Sequence, residues 1–194
     1  MLKQNQSVIL ASKSPRRQEL LKGIGLEFSI ELRDVEEKYS DLLEVELVPE
    51  FLSKLKAQPF ENGHYDNVVV ITSDTVVVLE GNILEKPKGA KEAVDMLMQL
   101  SGKKHQVITG VCLMVGGVKN TFSTRTKVSF DKITTKEAEY YVQEFEPMDK
   151  AGSYGIQEWI GYTKISKIEG CYYNVMGLPL RDLYLKLKEL KIVG

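Results

Sequence analysis

The 194-residue sequence predicts an α/β protein, a mixed β-sheet flanked by helices. Three observations lead there. Residues 7 to 11 form an apolar strand pattern, followed by a capped helical stretch and by a second strand pattern at 27 to 32, a β-α-β opening. Val68 to Ser73 is a continuous, β-branched-rich run, the pattern of a central strand covered on both faces. Gln106 to Val115 and Val118 to Phe130 are long strand patterns joined by Gly116-Gly117, a hairpin signal.

Taken in order, the first helix is expected over 15 to 24. Ser14 can cap it, Pro15 suits its first position and Glu19 belongs to its first turn. Such a strand-to-helix corner collects unpaired N–H groups at the positive end of the helix dipole. Here it also carries Ser12, Ser14, Arg16 and Arg17, groups suited to phosphate oxygens. The structural alternative is a capped surface helix with two solvated arginines. After the second strand comes Asp34-Val35-Glu36-Glu37-Lys38, a ligand-bearing loop or a solvated turn. Residues 49 to 57 have helical spacing through Phe51, Leu52 and Leu55, with Lys54 and Lys56 alongside, and residues 59 to 67 read as an exposed loop that assigns His64 no role.

The buried run 68 to 73 is expected to end by delivering Asp74-Thr75. A carboxylate at the end of a buried strand must be paired, hydrogen-bonded or metal-bound to offset its desolvation, which makes Asp74 the leading metal-ligand candidate. A hairpin through Glu80-Gly81 then presents Glu85-Lys86-Pro87. Residues 89 to 100 form an amphipathic helix with Ala93, Leu97 and Leu100 on one stripe and Met96 and Met98 as core filler. His105 reads as an edge or turn residue. Thr134 to Glu137 is a capping box opening a helix to about Glu144. In Asp149 to Gln157 the glycines allow close approach to a ligand, Tyr154 offers a flat face, and the Gln157 amide offers a donor and an acceptor to a base edge. A last strand at 165 to 169 precedes a closing helix with Leu183, Leu187 and Leu190 on one face.

Composition narrows the function. A formal net charge of −1 gives no whole-molecule attraction for nucleic acid or anionic membranes, so any anion site is local. No apolar run is long enough to span a bilayer, and a cytoplasmic location is expected. Cys112 and Cys171 lack metal spacing and read as two thiols. The sequence has no GxxxxGK[ST] loop, GxGxxG fingerprint or GxSxG elbow.

What it has, in order, is Ser-x-Ser-Pro-Arg-Arg, Asp-Thr after the buried strand, Lys-Pro after the hairpin, His-Gln-Val-Ile-Thr-Gly-Val, Asp-Lys-Ala-Gly-Ser-Tyr-Gly-Ile-Gln and Asn-Val-Met-Gly-Leu-Pro. This set resembles the Maf family of nucleoside triphosphate pyrophosphatases from Ser7 to the closing helix. The resemblance implies a single domain over 1 to 194, an elongated sheet with two lobes around one cleft, similar to inosine triphosphate pyrophosphatases. It implies that Ser12, Arg16 and Arg17 hold the triphosphate, that Lys56 and Lys86 add positive charge, and that Asp74 with Glu37 carries a divalent metal, Mg²⁺ or Mn²⁺, and activates water. Adjacent acids and nearby lysines keep Glu36 and Lys54 open as alternatives to Glu37 and Lys56. Thr75 after Asp74, and Gln157, look like the branch that hydrolyses dTTP and UTP to the monophosphate and pyrophosphate. The rival implications are the 7-methyl-GTP branch and a nucleotide-binding regulator of septum formation. The family also implies a homodimer, and the length of the hairpin makes it a candidate contact.

Overall fold

The computed structural model describes residues 3–61, 63–65 and 67–194. Two positions of the loop expected at 59 to 67, Asn62 and Asp66, lie outside the described residues. In chain order the elements are β1 (Ser7–Leu10), α1 (Pro15–Gly23), β2 (Ser29–Ile30), α2 (Val48–Ala57), β3 (Val68–Leu79), β4 (Asn82–Leu84), α3 (Ala90–Leu100), β5 (Lys104–Val115), β6 (Val118–Phe130), α4 (Thr135–Phe145), α5 (Trp159–Lys164), β7 (Ile165–Glu169), α6 (Tyr172–Val175) and α7 (Leu180–Glu189). The sheet is mixed, with strand order β2-β1-β3-β5-β6-β7 and β4 beside β3. Among the described residues no helix is long and apolar enough to cross a membrane.

The chain divides into two compact units. One comprises Met1–Asp74, Thr109–Thr124 and Gly177–Gly194; the other comprises Thr75–Ile108 and Arg125–Met176.

In the first unit β1 pairs in parallel with β2, Leu10 opposite Ile30, and with β3, Leu10 opposite Ile71. This register puts the segments after Leu10, after Ile30 and after Ile71 at the same, carboxyl end of the strands, where ligands bind in open parallel sheets. Leu10, Leu21, Ile71, Leu113 and Leu183 of this unit are buried. Gly110 of β5 lies under α2: a Cβ on it would overlap the backbone of Pro49 and Glu50, so only glycine permits this approach.

In the second unit α3 packs against α4, and their inward faces (Ala93, Leu97, Leu100; Ala138, Tyr141, Val142) share a core with Val77, Val107, Val128 and Phe130. The α4 capping box forms as expected: Thr134 N–H donates to Glu137 Oε2 at 2.8 Å and Glu137 N–H donates to Thr134 Oγ1 at 3.3 Å. Glu80 and Gly81 both take positive φ, 51° and 84°, the backbone a two-residue hairpin with right-twisted strands requires.

Several expectations need correction. Glu19 falls beyond the first turn of α1, which holds no acidic residue, because Pro15 already occupies the first helical position. The second strand is only Ser29–Ile30; it pairs with β1 alone at the sheet edge. β3 does not stop at Ser73 but continues through Asp74 and Thr75 to Leu79, because a further β-branched run extends the ladder to β4. Met98 is exposed, whereas Met96 fills the core. His105 is neither edge nor turn: β5 begins earlier than its apolar pattern, and strand alternation puts His105 inward with Val107. The short α5 and α6 carried no periodic signal. Cys112 and Cys171 are free thiols, and burial pushes Cys112 up to about 11, which suits an inert core thiol.

Candidate active site

The loop from β1 to α1 is tied by its own hydroxyls. Ser12 Oγ accepts from Ser14 N–H at 3.2 Å, and Ser14, the helix cap, accepts from Arg17 N–H at 3.5 Å. Pro15 fills the first helical position, where its missing N–H costs nothing. Arg16 and Arg17 therefore sit in the first turn, where the helix dipole opposes positive charge and favours an anion.

Arg17 is anchored by its surroundings. Its Nη1 donates to Ser12 Oγ at 3.2 Å and to the Ser73 carbonyl at 2.9 Å, and its Nε donates to the Gly177 carbonyl at 2.9 Å. These bonds hold the guanidinium against the strand just before Asp74. Burial lowers the Arg17 pKa from its ordinary value; the charge of Asp74 opposes this, Arg16 adds to it, and Glu37 opposes it. Asp74, Arg16 and Glu37 thus all lie within electrostatic reach of Arg17.

The centre of the cluster is an ammonium shared by two carboxylates. Lys56 Nζ lies 2.6 Å from Asp74 Oδ1 and 2.9 Å from Glu37 Oε2. Asp74 is 14 % exposed and Lys56 19 %, while Glu37 is half exposed, so the pair is partly desolvated and the third member faces solvent. The neighbouring alternatives are engaged elsewhere. Glu36 pairs with Lys38 at 2.5 Å on the surface, and Lys54 pairs with Glu50 at 3.1 Å one helical turn away. Residues two apart on a helix point about 200° apart, so Lys54 and Lys56 cannot share a face.

Glu37 reaches Lys56 from a loop whose start is latched. Tyr65 donates its hydroxyl to Glu31, and Arg33 Nη2 donates to Glu31 Oε1 at 2.6 Å and to the Tyr65 hydroxyl at 3.0 Å. The Tyr65 hydroxyl, with help from Arg33, holds the Glu31 carboxyl below its usual range. Tyr65 itself stands edge-on to Phe60, their centroids 5.1 Å apart, just beyond the C-terminal end of α2. Nothing in the local sequence marks this latch, nor the Gly177 carbonyl that orients Arg17, because both are long-range pairings.

Ser12, Arg16, Arg17, Glu37, Lys56 and Asp74 all belong to the first unit. Thr75, Lys86 and Gln157 belong to the second. Thr75 follows Asp74 directly along β3. Lys86 is exposed after β4, and the Glu85 carbonyl beside it accepts from Gly152 N–H at 3.2 Å, joining the Lys-Pro segment to the glycine-rich loop. Gly152, at φ 68°, packs on Val77, where an added Cβ would come within 3.0 Å. Gln157 is half-buried, and its amide oxygen is buried with no hydrogen-bond partner. Tyr154 offers no flat face to a ligand. It is buried against His105 and Phe130, its hydroxyl 2.7 Å from His105 Nε2.

Fold and cluster together define a class: an α/β protein that carries, where the parallel pairing of β1 and β3 ends, a helix start rich in cations beside a lysine-bridged pair of carboxylates. The Maf-like protein family matches residues 7–190, and the chain belongs to that family. A dTTP/UTP pyrophosphatase of Phocaeicola vulgatus is 47% identical over 184 residues, covering 94% of this chain and 95% of that protein. A dTTP/UTP pyrophosphatase of Christiangramia forsetii is 47% identical over 189 residues, covering 97% and 96%. Among solved structures, the Staphylococcus aureus Ham1 protein matches with a TM-score of 0.48 at 15% identity, over 64% of this chain and 72% of that one. A nucleoside-triphosphatase / dITP/XTP pyrophosphatase from Mycobacterium abscessus matches with a TM-score of 0.45 at 11% identity, over 95% of both.

Proposed function

We propose that the protein hydrolyses dTTP and UTP to the nucleoside monophosphate and pyrophosphate. The observation that carries the reading is the Lys56 ammonium held between Glu37 and Asp74, with Arg17 fixed beside Asp74 just beyond the part of β3 that pairs with β1. The relatives named dTTP/UTP pyrophosphatase support the substrate.

In this mechanism Arg16 and Arg17, in the first turn of α1, bind phosphate oxygens with charge-assisted hydrogen bonds at the positive end of the helix dipole. Ser12 adds a hydroxyl, and Lys56 acts as a compact point charge that offsets charge building on the departing group. Lys56 occupies one oxygen of Asp74, which leaves the second carboxylate oxygen to accept a proton from water. The water oxygen bonds to a phosphorus flanking the bridge between the α and β phosphates, and the P–O bond of that bridge breaks. Its electron pair stays on the phosphate that departs. Thr75 and the Gln157 amide meet the base, whose N3–H suits the unpaired Gln157 oxygen.

The residues present fit a divalent metal. Glu37 and Asp74 already converge on one cation, Lys56 Nζ. Among the described residues no group of three or more His, Cys, Asp or Glu side chains could hold a metal ion. Two carboxylates completed by phosphate and water oxygens are the ligand set that Mg²⁺ prefers. When bound, such an ion would supply Lewis-acid polarisation of phosphoryl oxygens and a lowered pKa for its water.

The test is pyrophosphate and monophosphate formation from dTTP, UTP, CTP, ATP, GTP and 7-methyl-GTP, with Mg²⁺ or Mn²⁺ and with chelator. Metal-dependent release from dTTP and UTP is expected. Release from 7-methyl-GTP alone would retain the chemistry and overturn the base assignment; release from none would overturn the enzymatic reading. The same reading puts the protein in the cytoplasm, where these nucleotides are found.

A further inference from the structure

The turn that presents Gln157 is held by buried polar bonds that the phosphate chemistry does not use. Tyr141, on α4, is fully buried, yet its hydroxyl has two partners: it donates to Glu158 Oε2 and accepts from Gly155 N–H at 2.9 Å. The Gly155 carbonyl in turn accepts from Glu158 N–H at 3.1 Å, so the backbone of Gly155 is gripped at both its donor and its acceptor. A side chain at Gly155 would displace the carboxylate that Tyr141 meets. A Cβ there would stand 2.6 Å from the Glu158 carboxyl carbon. Lys150 Nζ lies 3.2 Å from Glu158 Oε1 and balances its charge. One residue earlier in the turn, Tyr154 is fixed through its hydroxyl by His105.

Partly or fully buried polar groups are costly unless mutually satisfied, and a satisfied network rigidifies what it binds. This network binds the backbone just ahead of Gln157, whose own amide oxygen is buried and unpaired. An acceptor left in that state gains a partner when a ligand brings a donor. The orientation of that amide matters chemically. Uracil and thymine present N3–H and the O4 acceptor, whereas cytosine presents the N3 acceptor and an N4 donor. An amide held in one orientation distinguishes the two patterns, and one free to turn over accepts both.

We propose that Tyr141 and Glu158 are positioning residues for Gln157: by clasping Gly155 they hold the amide in one orientation and so set discrimination between uracil and cytosine nucleotides without touching the substrate. The inference rests on the reading above that Gln157 meets the base.

The test is a double-mutant cycle read as the ratio of kcat/KM for UTP to that for CTP, with thermal melting to confirm folding. Tyr141→Phe removes only the hydroxyl and keeps the ring stacked on Phe145, 5.1 Å between centroids. It is expected to lower the ratio about tenfold, the scale of one net hydrogen bond. In a Gln157→Ala background the same change is expected to lower it no further, whereas a loss of general stability would act alike in both. An equal drop in both backgrounds, or an unchanged ratio in Tyr141→Phe when Gln157→Ala lowers it, would overturn the positioning role. A ratio that survives Gln157→Ala would overturn the base reading itself, and with it the inference. Should Tyr141→Phe fail to fold, Glu158→Ala is measured in the same cycle, with rescue expected from Glu158→Gln, which retains an acceptor for Tyr141.

Discussion

His105 gives the protein an acid-side instability whose size follows from its surroundings. The imidazole is 2 % exposed, edge-on to Phe130 and Tyr154; Nε2 meets the Tyr154 hydroxyl and Nδ1 has no hydrogen-bond partner. Burial lowers its pKa from 6.5 to about 4. The folded protein therefore keeps His105 neutral at a pH where the unfolded chain protonates it. The stability this contributes is complete above pH 6.5 and is lost as the pH falls toward 4. At 1.36 kcal/mol per pKa unit, about 2 kcal/mol is gone by pH 5 and about 3 kcal/mol by pH 4. For a chain of this length that corresponds to a Tm lower by about 4–8 °C at pH 5. The assay is thermal melting of the wild type and His105→Gln at half-unit steps from pH 4 to 8. Glutamine keeps a partner for the Tyr154 hydroxyl but does not titrate, and carboxylates common to both proteins cancel in the difference. The wild type is expected to lose about 4–8 °C relative to the variant between pH 8 and pH 5. A Tm difference that stays flat across this range would refute the reasoning, because His105 would then have the same protonation in both states.

Two further substitutions probe the charged cluster. Lys56→Met leaves Glu37 and the 14 %-exposed Asp74 without their shared cation. Between the cost for a surface pair and that for a buried one, about 2 kcal/mol is expected, a Tm lower by about 4–8 °C. Turnover is expected to fall at least about 100-fold; wild-type melting and kinetics in this variant would show that the bridge contributes nothing. Asp74→Asn keeps the side-chain size and an acceptor for Lys56, so Tm is expected within about 3 °C of wild type while turnover drops about 10²–10⁴-fold. Unchanged kcat would remove Asp74 from the proton-accepting role.

Much of this was legible locally. Ser14 and Pro15 announce the start of α1, Thr134 and Glu137 that of α4, and Gly116-Gly117 the long hairpin, because caps and turns are satisfied within a few residues. The period of Leu183 and Leu187 placed one face of α7 in the core for the same reason. Ser12, Arg16, Arg17 and Asp74 were candidates from residue type and position, whereas Glu37 and Lys56 were named through the resemblance to the Maf family, with Glu36 and Lys54 left open beside them.

Their arrangement was not legible. Glu36 and Glu37 are equivalent as sequence, and it is the path of the loop after β2, latched by Tyr65, that turns Glu37 toward Lys56 and leaves Glu36 to Lys38. The helical phase of α2 decides between Lys54 and Lys56 only once its packed face is known. Asp74 looked like a strand terminus because β3 changes partners there, from β1 before it to β4 after it, and hydrogen-bond partners leave no mark on a run of β-branched residues. The clasp of Tyr141 and Glu158 on Gly155, and the burial of His105 against Tyr154, join residues 14 to 49 apart in the chain. Sequence alone determined which chemistry the chain carries and where its local elements begin, since backbone preferences and side-chain types act at short range. Tertiary structure alone decided which of those groups meet, since a contact between distant residues depends on the packing of every element between them.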